Sequence, residues 1–442
     1  MKIANWSNYP IVDSQISSYT DSGKLPFSEA FITRGNGRCY GDSSLNNQIA
    51  SMLSYNKALE FDIQNGVFTC QAGMTLDRVL EIIVPNGWFL PVTPGTKFIS
   101  VGGAVASNVH GKNHHYDGCF NDHVVSLDLL TASGEIVTCS SEENVELFET
   151  TSGGMGLTGM ILQVTFRLKK IESSFIDQRS IKAKNLDELV DLFRENENAT
   201  YSVSWIDCLQ TGKSKGRGLI LLGEHARIDQ LNTKQGKNPL KLHQASKVTF
   251  PLNAPPNSTN KITVKAFNTA YYGKQLSKEQ HSIIHYDPFF YPLDAILKWN
   301  RIYGKKGFLQ YQFVIPFGQS NEGMQRVLDK IREYGHASPL VVLKLFGKQD
   351  DFISFPMEGF TLALDFPIRR GLFEFLDALD KMILDLGGRH YLTKDARMAK
   401  ETFFKGYPNA EEFVRRIKKY NPNYLFSSLQ SERLGLTQKT QE

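Results

Sequence analysis

The residues best suited to chemistry lie in two glycine-rich loops of the first quarter of the chain. The first loop runs from Arg34 to Asp42 and reads RGNGRCYGD, and the second runs from Pro94 to Asn113 and reads PGTKFISVGGAVASNVHGKN. Successive backbone N–H groups in such loops form concavities that bind phosphate oxygens. Small side chains also let another molecule come close to the backbone. Ordinary turns carry glycines too, but two such loops favour a site for a phosphorylated cofactor.

Isolated polar residues inside apolar strands indicate a polar pocket in the second half of the chain. In GFLQYQFVIP, the two-residue period of a strand places Gln310 and Gln312 on one face. LVVLKLFG and FTLALDFPI each hold one charge inside an apolar run, Lys344 and Asp365. Any one of these residues could belong to an exposed sheet face. Three such strands in one region favour a pocket lined by a sheet.

A third glycine cluster imitates a nucleotide-binding motif. Gly154, Gly156 and Gly159 match G-x-G-x-x-G, which needs a strand before it and a helix after it. Here the helix-like ENVELFETT precedes the glycines and the strand-like ILQVTFRL follows them. The reversed order excludes a Rossmann NAD site at this position.

A metal site is the other chemistry that the second loop suggests. His110 and His114 have the i, i+4 spacing of a zinc-binding helix. Gly111 and Asn113 disfavour a helix between them, and the glutamate of H-E-x-x-H is absent. We therefore predict no metal site.

Composition limits the classes of protein to which the chain can belong. A length of 442 residues predicts two domains. The net charge of +4 is too small for a nucleic-acid-binding protein, whereas an anionic small molecule or a lipid headgroup is compatible with it. The five cysteines lack C-x-x-C spacing and follow no secretory signal, which predicts a reduced cytoplasmic chain. No apolar run approaches the ~18 residues of a membrane-spanning helix, so any membrane contact would be peripheral.

The elements that must position these residues change in type at about residue 172. Before it, hairpins around Asn65-Gly66 and at 132–134, together with an amphipathic helix behind Thr75, predict an α+β region. After it, the helix NLDELVDLFREN precedes the strands with polar faces, and a second helix, GLFEFLDALDKMILDLGG, follows them. Residues 210–262 are rich in Gly, Lys, Asn, Ser and Pro, which predicts mobile loops.

Several blocks of the sequence resemble a known family. They occur in the order RGNGRCYGD, PGTKFISVGGAVASNVHGKNHH, LDLLTASGE, GGMGLTG, YPLDAILKWNRIYGKKGFLQYQFVIP, KLFG, LDFPI and YLTKDAR. In these blocks the chain resembles the FAD-linked oxidases of the vanillyl-alcohol oxidase fold, and within them the decaprenylphosphoryl-β-D-ribose 2′-oxidase family. The resemblance extends from about Arg34 to the C-terminus.

The resemblance implies an α+β fold of two domains. A PCMH-type FAD-binding domain would comprise residues 1–172 and be completed by 389–442. A substrate-binding domain would comprise residues 173–388, with an antiparallel sheet flanked by helices and mobile loops near 210–262. The residues implied to bind FAD are Arg34, Gly35, Asn36, Gly37, Arg38, Cys39, Tyr40, Gly41, Asp42, Ser43, Gly95, Thr96, Ser100, Val101, Gly102, Gly103, His110, Gly111, Lys112, Asn113, Ile161, Tyr391 and Lys394. Those implied to bind substrate are Lys112, Trp205, Tyr303, Gln310, Gln312, Lys344 and Asp365.

The resemblance also implies catalytic roles for Lys394, His110 and Lys344 near the flavin. Oxidation of a secondary alcohol needs a hydride acceptor, which the flavin supplies, and a base for the hydroxyl proton. Lys394 is the first choice, because desolvation beside Lys344 would lower its pKa and a remaining charge would stabilise the reduced flavin. His110 is the alternative base. Many flavoproteins of this fold link the flavin to a histidine where this chain has Arg38, so we expect non-covalent FAD.

Three functions are compatible with the sequence. The resemblance favours oxidation of the 2′-hydroxyl of a polyprenyl-phosphoryl-β-D-ribose to the 2′-keto sugar. This step would be the first half of an epimerisation to the arabinose form, a precursor of cell-wall arabinan. An NAD(P)H-dependent short-chain reductase would be the pathway partner, and the chain would be cytoplasmic or peripheral at the inner face of the cell membrane. The alternatives are an oxidase or dehydrogenase of the same fold acting on a free sugar or aldonolactone, and a non-catalytic lipid-phosphate-binding protein. The electron acceptor, oxygen or a quinone, is also open.

Overall fold

Two antiparallel sheets organise the chain, whose computed structural model describes residues 1–20, 23–243, 248–255, 258–335 and 338–437. The first sheet belongs to the region that holds the glycine-rich loops, and the second belongs to the region that follows. Parts of two predicted segments, 210–262 and 389–442, lie outside the described residues.

Five strands of the first 172 residues form an antiparallel sheet. The other strands form smaller sheets, and short helices lie beside them. The strands are β1 (Lys2–Ile3), β2 (Val12–Asp13), β3 (Gln15–Ser18), β4 (Ile32–Arg34), β5 (Gln48–Ser51), β6 (Ala58–Asp62), β7 (Val67–Gln71), β8 (Trp88–Phe89), β9 (Val124–Leu130), β10 (Ile136–Ser140), β11 (Met160–Arg167) and β12 (Lys169–Lys170). The helices are α1 (Leu76–Ile83), α2 (Val101–Ala106), α3 (His114–Asp117) and α4 (Val145–Thr151). The antiparallel sheet has the order β10-β9-β11-β7-β6, and β3, β5 and β4 form a separate parallel sheet.

The next region forms an eight-stranded sheet. Its strands and those beside it are β13 (Phe175–Ala183), β14 (Tyr201–Ile206), β15 (Gly218–His225), β16 (Val248–Thr249), β17 (Glu279–His285), β18 (Ile296–Leu297), β19 (Phe308–Pro316), β20 (Val341–Phe346), β21 (Gly359–Pro367) and β22 (Arg389–His390). The helices are α5 (Leu186–Glu195), α6 (Thr233–Gly236), α7 (Lys261–Gly273), α8 (Tyr286–Phe290), α9 (Phe317–Tyr334) and α10 (Leu372–Asp385). The sheet is antiparallel, in the order β17-β13-β15-β14-β20-β21-β19-β22.

The eight-stranded sheet has one face covered by helices and one face turned to a cavity. On β19, Leu309, Tyr311 and Phe313 pack with α5, α9 and α10 into a buried core. The intervening Gln310 and Gln312 point to the opposite side, because successive side chains of a strand alternate. The apolar half of each strand therefore anchors the sheet, and the polar half is left to form a site.

The C-terminal segment returns to the first region. It contains α11 (Lys400–Gly406), α12 (Ala410–Tyr420) and α13 (Leu429–Arg433). Phe31 forms a parallel bridge with Phe426, and the backbone N–H of Leu429 donates to the carbonyl of Leu45 at 2.9 Å. From these contacts we propose that the segment after β22 completes the first domain. The predicted boundary at 389 falls two residues early in this respect, because β22 (Arg389–His390) pairs with β19 as the edge strand of the eight-stranded sheet.

The predicted α+β fold class is confirmed, and most of the predicted elements are present. Both predicted hairpins are present, as β6–β7 and β9–β10, and the three amphipathic patterns form α1, α5 and α10. The segment 210–262 is not loop throughout, because β15 lies between β13 and β14 inside the sheet. The apolar run from Leu219 to Leu222 indicates a strand, but the segment as a whole is polar in composition and was therefore predicted to be loop.

The described residues contain neither a metal-binding cluster nor a membrane-spanning helix. No group of three or more His, Cys, Asp or Glu side chains in the described ranges could hold a metal ion. Within the same ranges, no helix combines the length and the apolar character needed to cross a membrane. All five cysteines are free thiols.

Candidate active site

A cavity of about 950 Å³ lies between the glycine-rich loops and the polar face of the eight-stranded sheet. Its volume is near the upper end of the usual range for ligand and cofactor sites, roughly 300–1,000 Å³. Most of the predicted site residues line it, from both halves of the chain. They are Arg34, Gly35, Asn36, Gly37, Arg38, Cys39, Tyr40, Ser43, Gly95, Thr96, Ser100, Gly102, Gly103, His110, Lys112, Ile161, Trp205, Gln310, Gln312, Lys344, Tyr391 and Lys394.

The other predicted residues lie behind the cavity wall. They are Gly41, Asp42, Val101, Gly111, Asn113, Tyr303 and Asp365. A Cβ atom at Gly41 would lie 1.5 Å from the carbonyl oxygen of Asp395, so only glycine allows this approach. Arg433 pairs with Asp42 and with Asp395, each at 2.8 Å. These contacts hold the C-terminal segment against the first loop.

The first loop presents backbone donors to the cavity. In the described chain, the backbone N–H groups of residues 35–39 donate to no protein acceptor, and all five residues line the cavity. The Arg38 guanidinium stacks on Trp6, 4.0 Å from the ring centroid. The Asn36 side chain donates to the carbonyl of Phe98 at 2.8 Å, which ties the first loop to the second. Five unpaired donors beside a guanidinium form a cradle that fits a pyrophosphate.

The second loop uses its small residues differently. The backbone N–H of Gly102 donates to the carbonyl of Ala72 at 2.8 Å, and a Cβ atom at Gly102 would lie 2.9 Å from the Ala72 side chain. Val101 is buried in the core. The Asn113 amide donates to the carbonyl of Pro91 at 2.7 Å. Here small residues bring α2 close to the sheet, while the loop still lines the cavity.

Asp365 orients one of the two amides of β19. The Gln310 amide donates to Asp365 Oδ1 at 2.6 Å, and the Tyr303 hydroxyl donates to Oδ2 at 2.9 Å. Burial raises the pKa of Asp365 to about 6, and the two donors oppose that rise. Asp365 and Tyr303 therefore support Gln310 from behind the cavity wall.

His110 is held as a neutral ring by the second amide. The Gln312 amide donates to His110 Nε2 at 3.1 Å. The ring packs against Phe346 and Tyr391, with centroid distances of 4.7 and 5.3 Å. Burial, and then the charge of Lys344, hold the pKa of His110 well below its ordinary value. The lone pair of Nε2 is thus already engaged by a donor.

Three lysines of the predicted set face the cavity. The Lys394 ammonium lies 3.9 Å from the centroid of the Tyr40 ring. Burial lowers the pKa of Lys394 to about 7, with Asp365 opposing the shift and Lys344 adding to it. Burial lowers the pKa of Lys344 to about 8, and burial together with Lys344 lowers that of Lys112 to about 7. Amines with such pKa values exchange protons readily near neutral pH.

A second lobe of the cavity was not found from the sequence. It is lined by side chains of β13 to β15 and of α7 with its C-terminal end, namely Gln178, Ser180, Val203, Ser204, Leu219, Leu221, Phe267, Tyr271, Lys274 and Gln275. Trp205, which was predicted, meets Tyr271 edge-on at 4.8 Å, and its Nε1 donates to no described acceptor. In the sequence, the i, i+4 spacing of Phe267 and Tyr271 places both rings on one side of a helix, and this pattern could have indicated the lobe.

Comparisons with known proteins identify the family. A family model described as an FAD binding domain matches residues 27–140, the segment that contains both glycine-rich loops. The decaprenylphosphoryl-β-D-ribose oxidase of Mycolicibacterium smegmatis is 37% identical over 412 residues, which cover 92% of this chain and 89% of that protein. This chain belongs to the decaprenylphosphoryl-β-D-ribose oxidase family.

Two other relatives are less similar to this chain. A Streptomyces coelicolor protein is 30% identical over 376 residues, which cover 82% of this chain and 100% of that protein. The D-arabinono-1,4-lactone oxidase of Yarrowia lipolytica is 26% identical over 170 residues, which cover 35% of this chain and 32% of that enzyme. As a member of the decaprenylphosphoryl-β-D-ribose oxidase family, the chain is an FAD-dependent oxidoreductase. The unpaired donors of residues 35–39 fit the pyrophosphate of this cofactor.

Proposed function

We propose that this chain oxidises the 2′-hydroxyl of a polyprenyl-phosphoryl-β-D-ribose to the 2′-keto sugar with non-covalent FAD. The second lobe of the cavity carries the proposal. Leu219, Leu221, Phe267 and Tyr271 give this lobe a set of apolar lining residues, and Gln178, Gln275 and Lys274 line it beside them. These four apolar side chains are called the apolar wall below. A free sugar or aldonolactone would leave this wall uncovered, whereas a prenyl chain would bury it.

Cofactor binding is assigned to the first loop and its neighbours. Residues 35–39 would hold the pyrophosphate through their backbone N–H groups. When bound, FAD supplies the two-electron acceptor of the alcohol oxidation. Arg38 stands where linked flavoproteins of the fold carry histidine, and its guanidinium stacks on Trp6, which supports a cofactor held without a covalent bond.

The polar cluster would bind the ribose and remove its hydroxyl proton. Gln310 and Gln312, oriented by their protein partners, would form hydrogen bonds with the sugar hydroxyls. Lys394 would accept the proton of the 2′-hydroxyl, because burial brings its pKa to about 7. Lys344 would keep positive charge in the site. His110 is the weaker candidate for the base, since Nε2 already accepts from Gln312.

A keto sugar is the first half of an epimerisation, so a second enzyme must reduce it. We propose an NAD(P)H-dependent short-chain reductase as this partner, with the arabinose epimer as a cell-wall precursor. A lipid-linked substrate also supports a cytoplasmic chain that contacts the inner face of the cell membrane peripherally.

Anaerobic reduction of the flavin tests the substrate. We expect a short prenyl-phosphoryl ribose to bleach the flavin band near roughly 450 nm, a property of the cofactor, whereas free ribose and gulonolactone should leave it unchanged. Tyr271→Ala should raise KM for the prenyl substrate about tenfold by removing part of the apolar wall. Tyr272→Ala is the matched control, because the Tyr272 hydroxyl donates to the carbonyl of Ala183 and its side chain is not part of the cavity lining.

The outcomes separate the alternatives. Equal reduction by gulonolactone would favour an oxidase of free lactones. A purified chain that takes up no FAD but binds prenyl phosphate would favour the non-catalytic binding protein.

A further inference from the structure

We propose that helix α7 and the residues that follow it form a surface that docks on an anionic lipid bilayer and places the mouth of the cavity at the lipid. This inference rests on the proposed lipid-linked substrate. This surface, the α7 face, consists of Lys261, Ile262, Lys265, Phe267, Lys274 and Leu276.

The charge of this part of the chain is one-sided. Residues 230–278 contain eight lysines and no aspartate or glutamate, although the whole chain has a net charge of only +4. Lys261, Lys265 and Lys274 are exposed, and none of the three pairs with a described carboxylate. Lysines close to an anionic membrane surface each add to binding, and the effect is screened by salt. This surface therefore complements an anionic partner.

Apolar side chains stand among these lysines. Ile262 is 81% exposed and Leu276 is 92% exposed, which are high values for aliphatic side chains. Val264 and Asn268 mark the buried side of α7, so the helical period places Ile262 and Lys265 on the outward side. A helix that combines exposed apolar residues with lysines is typical of segments that lie in the membrane interface.

The α7 face is continuous with the second lobe of the cavity. Phe267 is 50% exposed and also lines the cavity, and Lys274 is exposed and lines it too. Another exposed apolar residue of the cavity lining is Ile296, which is 41% exposed and pairs with the exposed Val248. A prenyl chain leaving a bilayer at this surface would pass directly onto apolar residues. This continuity favours a lipid surface over a protein partner.

Vesicle flotation tests the proposal on the intact FAD-loaded protein. The vesicles contain either phosphatidylcholine alone or phosphatidylcholine with about 30% phosphatidylglycerol, at low salt and at about 0.5 M salt. We expect flotation with the anionic vesicles, little with the neutral ones, and loss at high salt. The variant Ile262→Ser/Lys265→Gln/Leu276→Ser should lower the partition coefficient by about tenfold or more. None of its three residues lines the cavity.

A matched variant at another exposed position controls for general surface effects. Lys57→Gln/Leu59→Ser/Ile63→Ser removes one exposed lysine and two exposed aliphatic side chains from β6 and the residues that flank it. It should float as well as the unchanged protein. Both triple variants should oxidise a short, detergent-dispersed prenyl-phosphoryl ribose at the wild-type rate.

Three results of the vesicle experiment would overturn the proposal. The first is absence of flotation of the unchanged protein, and the second is flotation that does not depend on lipid charge or salt. The third is an equal loss of flotation in the two triple variants. Association of the α7 face with a purified protein partner instead of vesicles would also overturn it. Flotation without turnover of the short substrate would refute the proposed function alone, so the two failures are distinguishable.

Discussion

Replacing Lys394 by alanine tests which residue removes the hydroxyl proton. The change deletes the amine that lies over the Tyr40 ring and leaves the proposed pyrophosphate cradle at residues 35–39 untouched. We therefore expect the variant to fold and to keep most of its FAD. The rate that should fall is that of the chemical step, in which the substrate reduces the flavin.

The magnitude follows from the lowered pKa of this amine. With a pKa of about 7 instead of the ordinary 10.5, Lys394 is about half deprotonated at pH 7, compared with about 0.03% for an ordinary lysine. Burial thus supplies roughly 10³-fold more free base. Removing it should slow flavin reduction by ~10²-fold or more, the scale for losing a positioned base or charge. Since the proposed mechanism makes the neutral amine the active form, the wild-type rate should rise with pH and level off above about pH 7.

Anaerobic single-turnover reduction at saturating substrate measures this step through the flavin absorbance. Lys394→Arg should recover only part of the rate, since a guanidinium keeps the charge but does not give up its proton near neutral pH. Lys400→Ala, an exposed lysine of the same segment, is the control and should behave as wild type. If Lys394→Ala reduces its flavin as fast as wild type, the assignment is wrong and His110 is the residue to test.

Three further predictions concern the cofactor, the amides and Asp365. Acid precipitation should release FAD into the supernatant, and flavin retained in the pellet would contradict the non-covalent assignment. Gln310→Ala should raise KM for the ribose substrate about tenfold, the scale of one hydrogen bond, with unchanged flavin content; an unchanged KM would remove Gln310 from the binding set. The pKa of Asp365 is raised to about 6, so the folded state binds a proton more tightly than the unfolded state and stability falls as pH rises from about 4 to about 6. Urea unfolding should therefore show Asp365→Asn gaining up to about 3 kcal/mol relative to wild type between pH 4 and pH 7, and a pH-independent difference would refute the shift.

Local patterns in the sequence predicted most of the elements and two parts of the candidate site, the first glycine-rich loop and the amide face of β19, whereas the resemblance implied the other site residues. The alternation in GFLQYQFVIP predicted which side chains of β19 face the cavity, because side-chain direction in a strand depends only on a two-residue period. The first glycine-rich loop predicted backbone donors, because the conformational freedom of glycine is a property of single residues. The α+β fold class follows from the same local signals. The named oxidase family, in contrast, came from matching whole blocks of sequence.

Only the tertiary structure decided which distant residues meet and what each contact does. The pKa of Lys394 depends on burial and on the charges of Asp365 and Lys344, which three separate segments bring together. Strand β15 was not predicted, because the residues around it are polar and indicated a loop. Its pairing with β13 and β14, which the sequence does not show, stabilises it as a strand. The second lobe required α7 to lie beside the sheet, and no local pattern encodes that distance. Burial, charge interaction and cavity shape all arise from packing between remote segments, so they are properties of the folded chain and not of any window of its sequence.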